Sequence, residues 1–218
     1  MDQRLNQASI HGRANEIAKL LSQGVNPNNV DKDGRTVLYW ACDYGHLDVV
    51  IALLITPGIN LNINSAHQNI SFYAASRCYN LKILKLLFKN GLNPNTIGEN
   101  NEFFLFHAVA NGFYGLVRIL LFHGADPNIA NFDMKTPLYM ACYHGYLKIV
   151  ERLLLFGADP NICDREGESP LSQARKEQRT TIIEILETHI PTFKTLSLRC
   201  IRRHNVDISK IPSGVFSL

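Results

Sequence analysis

Apolar residues run along the chain in short, evenly spaced clusters. Val49, Val50, Leu53 and Leu54 stand at i, i+4 spacing and put one apolar stripe on a helix. Alanines recur at Ala8, Ala41, Ala74, Ala108, Ala141 and Ala174, at intervals of 33, 33, 34, 33 and 33 residues. Leucines keep the same phase at Leu20, Leu53, Leu86, Leu120, Leu153 and Leu186. After most of them comes a turn opened by Gly24, Gly58, Gly91, Gly124 or Gly157. Glycine there fits the left-handed residue that ends a helix. The pattern predicts an all-α array of repeated units. No unit of this size can bury its apolar face alone, so stacked neighbours must supply the core.

The residues around the alanines are more specific. Thr136-Pro137-Leu138-Tyr139-Met140-Ala141 resembles the TPLHxA start of an ankyrin repeat, with Tyr in place of His. Segments 36–41 and 169–174 are looser copies, and Gly45-His46-Leu47 and Gly145-Tyr146-Leu147 resemble the start of the second helix. The resemblance implies an ankyrin-repeat solenoid, helix-turn-helix units with β-hairpin fingers, over about residues 1–189. The expected units are 1–30, 31–63, 64–96, 97–129, 130–162 and 163–189, with the outer two as caps. Glu187, where earlier units carry a second Leu, suits an exposed terminal face. Asn69 to Tyr73 and Phe103 to Phe106 lack the Thr-Pro pair, so their helices are expected to be less well capped. One residue is expected to be missing between Asn62 and Ala74. By the same resemblance His46 is expected to cap its helix with a hydrogen bond.

Ankyrin proteins grip protein partners with finger tips and the inner face of the first helices. Counted from each alanine, those positions are Lys32, Asp33, Arg35, Asp43 and Tyr44, then Ser76 and Arg77, then Glu99, Asn100 and Asn111. Phe132, Asp133, Lys135, Tyr143 and His144 follow. Tyr44, Arg77, Phe132, Tyr143 and His144 are the expected heart of a target-binding surface, because aromatics and Arg dominate interface energetics.

Residues 190–218 form a separate appendage. Pro191 disfavours helix in the residue before it, and Phe193, Leu196, Cys200 and Ile201 then make one helical stripe. One reading is a capping helix on the last repeat. The other is a small helical box. Thr195-Leu196-Ser197-Leu198-Arg199-Cys200 resembles the elongin-binding helix of a SOCS box, and Ile211-Pro212 stands where such boxes face a cullin. A second register, with Leu198 and Val206 as anchors, is closer to the boxes of the Fem-1 relatives. Likeness to the ankyrin-and-SOCS-box family implies a substrate receptor of an elongin B/C–cullin ubiquitin ligase. Thr195, Leu196, Leu198, Cys200 and Ile201 would bind elongin C, and Ile211 and Pro212 would face the cullin. The rival is a plain ankyrin adaptor or inhibitor that sequesters its partner.

Composition narrows the remaining classes. Hydrophobic residues make up 46% of the 218 and the formal charge is only +3, so a core can form and no strong anion-seeking field covers the whole. The appendage is basic, with Lys194, Arg199, Arg202, Arg203 and Lys210 against Asp207. Phe193 and Phe216 are its only Phe, Tyr or Trp residues, so a nucleic-acid partner is not expected. The longest apolar run, 49–55, is far short of the ~20 residues that span a bilayer, and no membrane partner is expected. Five cysteines without CxxC spacing read as free thiols, and the N-terminus carries no leader pattern. The expectation is a cytoplasmic protein, with the nucleus also open to it. Eight histidines form no HExxH, and no GxGxxG, GxxxxGK(S/T) or GxSxG occurs, so no enzyme, cofactor or metal site is expected. Cys42 and Cys142 read as small core residues and Cys200 as a packing residue.

Overall fold

Thr36, Thr136 and Ser169 start helices by accepting a hydrogen bond from a backbone N–H three residues on. Tyr39, Tyr139 and Ser172 donate, at 3.1, 3.2 and 3.1 Å. Pro137 and Pro170 follow at the first turn, where the missing N–H costs nothing. Phe103 offers no such cap, as its sequence implies. Its helix is held instead by Phe104, Leu105 and Phe106, all buried.

The computed structural model describes residues 3–61, 64–65, 68–69, 80–95 and 103–189. First helices are Gln3–Ile10, Val37–Asp43, Phe104–Ala110, Pro137–His144 and Pro170–Lys176. Second helices are Ala14–Ser22, Leu47–Leu54, Leu81–Lys89, Tyr114–Phe122, Leu147–Leu155 and Thr180–His189. First helices pack on first helices and second on second, giving two layers. The core runs continuously between them. Ala8, Ala41, Ala108, Ala141 and Ala174 are buried, and so are Val49, Val50 and Leu53. A fully buried Val or Leu contributes ~1.5–3 kcal/mol. The small alanines let the first helices approach.

The leucine register needs one correction. Leu87, not Leu86, is the fully buried counterpart of Leu53 and Leu120, while Leu86 is only half-buried. The extra residue sits earlier, in the Thr56-Pro57-Gly58 turn, and no residue is missing after Asn62. In every other unit the second helix starts six residues after the alanine, as from Ala41 to Leu47. Six before Leu81 is Ala75, one residue after Ala74, and both lie outside the described residues.

Fingers project beside the first helices. In one, Val30 bridges Thr36, and in the next Asn64–Ser65 pairs antiparallel with Gln68–Asn69. Asp31 Oδ1 accepts from the N–H of Asp33 and of Arg35, both at 2.9 Å. Asn131 and Asp164 tie their fingers in the same way. Successive units are also clipped together by asparagines. Asn28 donates to Gly58 O (2.7 Å) and accepts from Asn60 N–H (2.9 Å). Asn95 does so with Gly124 and Asp126, and Asn128 with Gly157 and Asp159.

His46 departs from its expected role. It makes no side-chain cap to its own helix. Its Nε2 lies 2.9 Å from Ile10 O of the preceding unit, so it joins neighbours instead. Tyr146 occupies the corresponding place against Gly112, whose φ is +69°. A Cβ on Gly112 would come within 2.9 Å of Tyr146 Cζ, whereas one on Gly124 (φ +88°) would meet open space. Gly112→Ala is therefore expected to cost ~1–3 kcal/mol. Gly124→Ala is expected to cost less, since it carries the backbone strain without the clash. Urea unfolding midpoints of the two variants check this.

Candidate protein-binding surface

Finger residues lie against the first helices, with Asp31 hydrogen-bonded to Trp40, Arg35 over Tyr39 and Lys135 over Tyr139. On the fifth unit the finger and first-helix surface is apolar and open. Phe132 at the finger tip is 67% exposed, and Tyr143 at the end of the first helix is 44% exposed. Met134, next to the tip, is 46% exposed and holds φ +62°, a left-handed conformation that residues with a Cβ adopt uncommonly. Gly34 and Gly167 stand at the matching positions of other fingers. His144 lies edge-on to Tyr143 (centroids 4.9 Å apart) and stacks on Tyr146 (5.2 Å). Adjacent fingers are coupled by Arg165 N–H donating to Asp133 O at 3.0 Å.

The other expected residues are distributed differently. Tyr44 is 53% exposed and belongs to a second aromatic group, with Trp40 6.2 Å and His46 6.3 Å away. Tyr143 and His144 are thus together, Phe132 stands on the finger of the same unit, and Tyr44 sits three units away. Arg77 lies outside the described residues, two after Ala75 and three after Ala74. Ser76, Glu99 and Asn100 lie outside them too, as do Thr195, Leu196, Leu198, Cys200, Ile201, Ile211 and Pro212.

Arg35 and Lys135, counted among the gripping positions, lie over aromatic rings of their own first helices. The Arg35 guanidinium is 5.3 Å from the Tyr39 ring and 5.2 Å from Trp40, and Lys135 Nζ is 5.6 Å from Tyr139. The sequence reading missed Trp40. Its indole N–H donates to Asp31 Oδ2 at 3.1 Å, and with Gln3, Gln7, Asp33 and Arg35 it lines a cleft of about 400 Å³ under the first finger. The chain's single tryptophan, directly before Ala41, was the available signal.

Titratable groups are placed for packing. Burial pushes the Cys142 thiol up to about 12, which removes it as a thiolate nucleophile. Burial, then the charge of nearby Asp164, pushes the Tyr139 phenol up to about 12, and its hydroxyl donates to Gln173 Oε1 of the next unit at 3.0 Å. Among the described residues no cluster of His, Cys, Asp and Glu could hold a metal, and no helix is long and apolar enough to cross a membrane.

With this geometry in place, the comparisons agree on the family. A family model of ankyrin repeats (three copies) matches residues 5–98 and 105–193. The chain belongs to the ankyrin repeat family. Osteoclast-stimulating factor 1 of Xenopus laevis is 42% identical over 62 residues, 28% of this chain and 29% of that protein. The protein of the same name from Rattus norvegicus is 39% identical over 62 residues, with the same shares. The chain therefore spans less than a third of these curated relatives. The crystal structure of the ankyrin repeat domain of Bcl-3, described as a unique member of the IkappaB family, superposes with a TM-score of 0.76 at 26% identity. That match covers 84% of this chain and 81% of the other. An ankyrin repeat domain from Acinetobacter baumannii gives the same score and identity over 85% and 96%. Ankyrin repeats are a non-enzymatic protein-interaction scaffold.

The two raised pKa values set an alkaline limit. Unfolded Cys and Tyr ionise near ~8.5 and ~10, before the folded groups do. The unfolded state then holds fewer protons than the native state, so stability falls as pH rises from about 9 towards 12. Cys142→Ala and Tyr139→Phe are each expected to flatten that fall. Urea midpoints measured from about pH 8 to about pH 11 check it.

Proposed function

We propose that the chain is a recruiting adaptor. Its repeats hold a protein target on the finger and first-helix side, and its C-terminal segment brings an elongin B/C–cullin ubiquitin ligase to that target. The exposed set Phe132, Met134 and Tyr143 supports the first half. Three large apolar side chains left in water on one unit are poorly explained by folding, and well explained by a partner that covers them. The second half is supported by sequence: Thr195, Leu196, Leu198, Cys200 and Ile201, then Ile211 and Pro212, in the order of a SOCS box behind ankyrin repeats. Leu196 and Cys200 act as helix-in-groove anchors on elongin C. The protein works in the cytoplasm or nucleus, and Tyr44 and Arg77 extend the target grip towards the N-terminus.

Elongins B and C are expected to co-purify with the tagged chain. Leu196→Pro with Cys200→Phe is expected to abolish that while the repeats unfold at the same urea concentration. Retained elongin C would contradict the box and leave the adaptor that sequesters its partner unaided. Phe132→Ala with Tyr143→Ala is expected to weaken target capture tenfold or more, ~1.4 kcal/mol. The same pair should change stability by less than ~0.5 kcal/mol, since both side chains are exposed. Proximity labelling of the target by wild-type and variant chains, beside a melting curve, checks both halves of that statement.

A further inference from the structure

The second-helix layer carries a surface on the opposite side from the fingers. A groove of about 560 Å³ crosses the helices Leu81–Lys89, Tyr114–Phe122 and Leu147–Leu155. Its floor is apolar, with Ile119 and Phe156; Phe122 stands at its edge, and Phe88 is stacked on His123 at 4.8 Å beside it. Its rim is cationic: Lys85, Lys89, Arg118 and Arg152. Lys89 and Arg152 stand in last turns, where the helix dipole favours a cation in any protein. Lys85 and Arg118 lie mid-helix, so the dipole does not account for them. Nor does it account for Phe122, which is 76% exposed. Glu151 is the one carboxylate on these three helices, and it does not line the groove.

We propose that this groove binds an acidic, aliphatic- or aromatic-bearing segment of a second protein partner. Four cations around an apolar floor hold carboxylates at the rim and accept an apolar side chain below. The chain's own tail is a poor occupant, because its Lys194, Arg199, Arg202, Arg203 and Lys210 would meet like charge. The proposal is independent of the finger-side target and of the elongin reading.

The test uses the full chain and two short fluorescein-labelled peptides. One consists of Glu interspersed with Leu and Phe, and in the other Ala replaces every Leu and Phe. In fluorescence anisotropy the first is expected to bind at least tenfold more tightly than the second, and to weaken as salt is added. Lys85→Glu with Arg118→Glu is expected to lose at least tenfold. Phe122→Ala is expected to lose a similar factor with its urea midpoint unchanged, since the ring is exposed. Equal affinity for both peptides, unchanged affinity in the variants, or no binding by ~1 mM peptide would overturn the proposal. So would tighter binding to phosphatidylserine vesicles, or a peptide-free dimer that Phe122→Ala dissociates.

Discussion

A pair of short helices has too little interior to cover its own apolar stripe, so every unit of this chain is folded by its neighbours. The buried alanines of the first helices and the Val-Val/Leu sets of the second are contact surfaces between units as much as cores within them. The polar contacts that cross unit boundaries repeat the same logic. Asn28, Asn95 and Asn128 each satisfy one carbonyl and one N–H of the next turn. His46 reaches back to Ile10 O, and Tyr139 reaches forward to Gln173. Apolar stacking supplies the energy, and these bonds fix the spacing.

That division leaves exposed apolar and charged side chains on two outer faces. On one, the fingers and first-helix ends carry Phe132, Met134, Tyr143 and Tyr44, all exposed. On the other, the second helices carry the cationic rim of Lys85, Lys89, Arg118 and Arg152 around Phe122. Changes on either face need not disturb the stack. In the sixth unit Glu187 is exposed and pairs with Arg175 at 2.7 Å, where earlier units carry a Leu that is buried (Leu121) or partly buried (Leu54, Leu154).

Period and capping were legible in the sequence because they depend on local chemistry. Thr136, Ser169 and Pro137 act within one turn of themselves, and the recurrent glycines hold the left-handed conformations their positions required. What failed depended on neighbours. Leu86 and Leu87 are both leucine, and burial shows which one belongs to the core. His46 looked like a helix cap because its partner, Ile10 O, lies 36 residues away in sequence. Within the candidate surface, aromatic identity singled out Phe132, Tyr143 and Tyr44. The ring contacts of Arg35 and Lys135 were hidden, since a cation at a finger base can reach water or its own first helix equally well. Trp40 was passed over because it precedes the repeat alanine, outside the positions counted for binding.

The central claim is that units hold one another and that the asparagine clips fix their spacing. Amide hydrogen exchange at Asp159 tests it most directly, since that N–H donates across a unit boundary to Asn128 Oδ1 at 2.7 Å. The account predicts that Asn128→Ala, in the full chain, speeds exchange at Asp159 at least tenfold. Exchange at Asp126, held by Asn95, should stay as it was in the wild-type chain. An unchanged rate at Asp159 would contradict it.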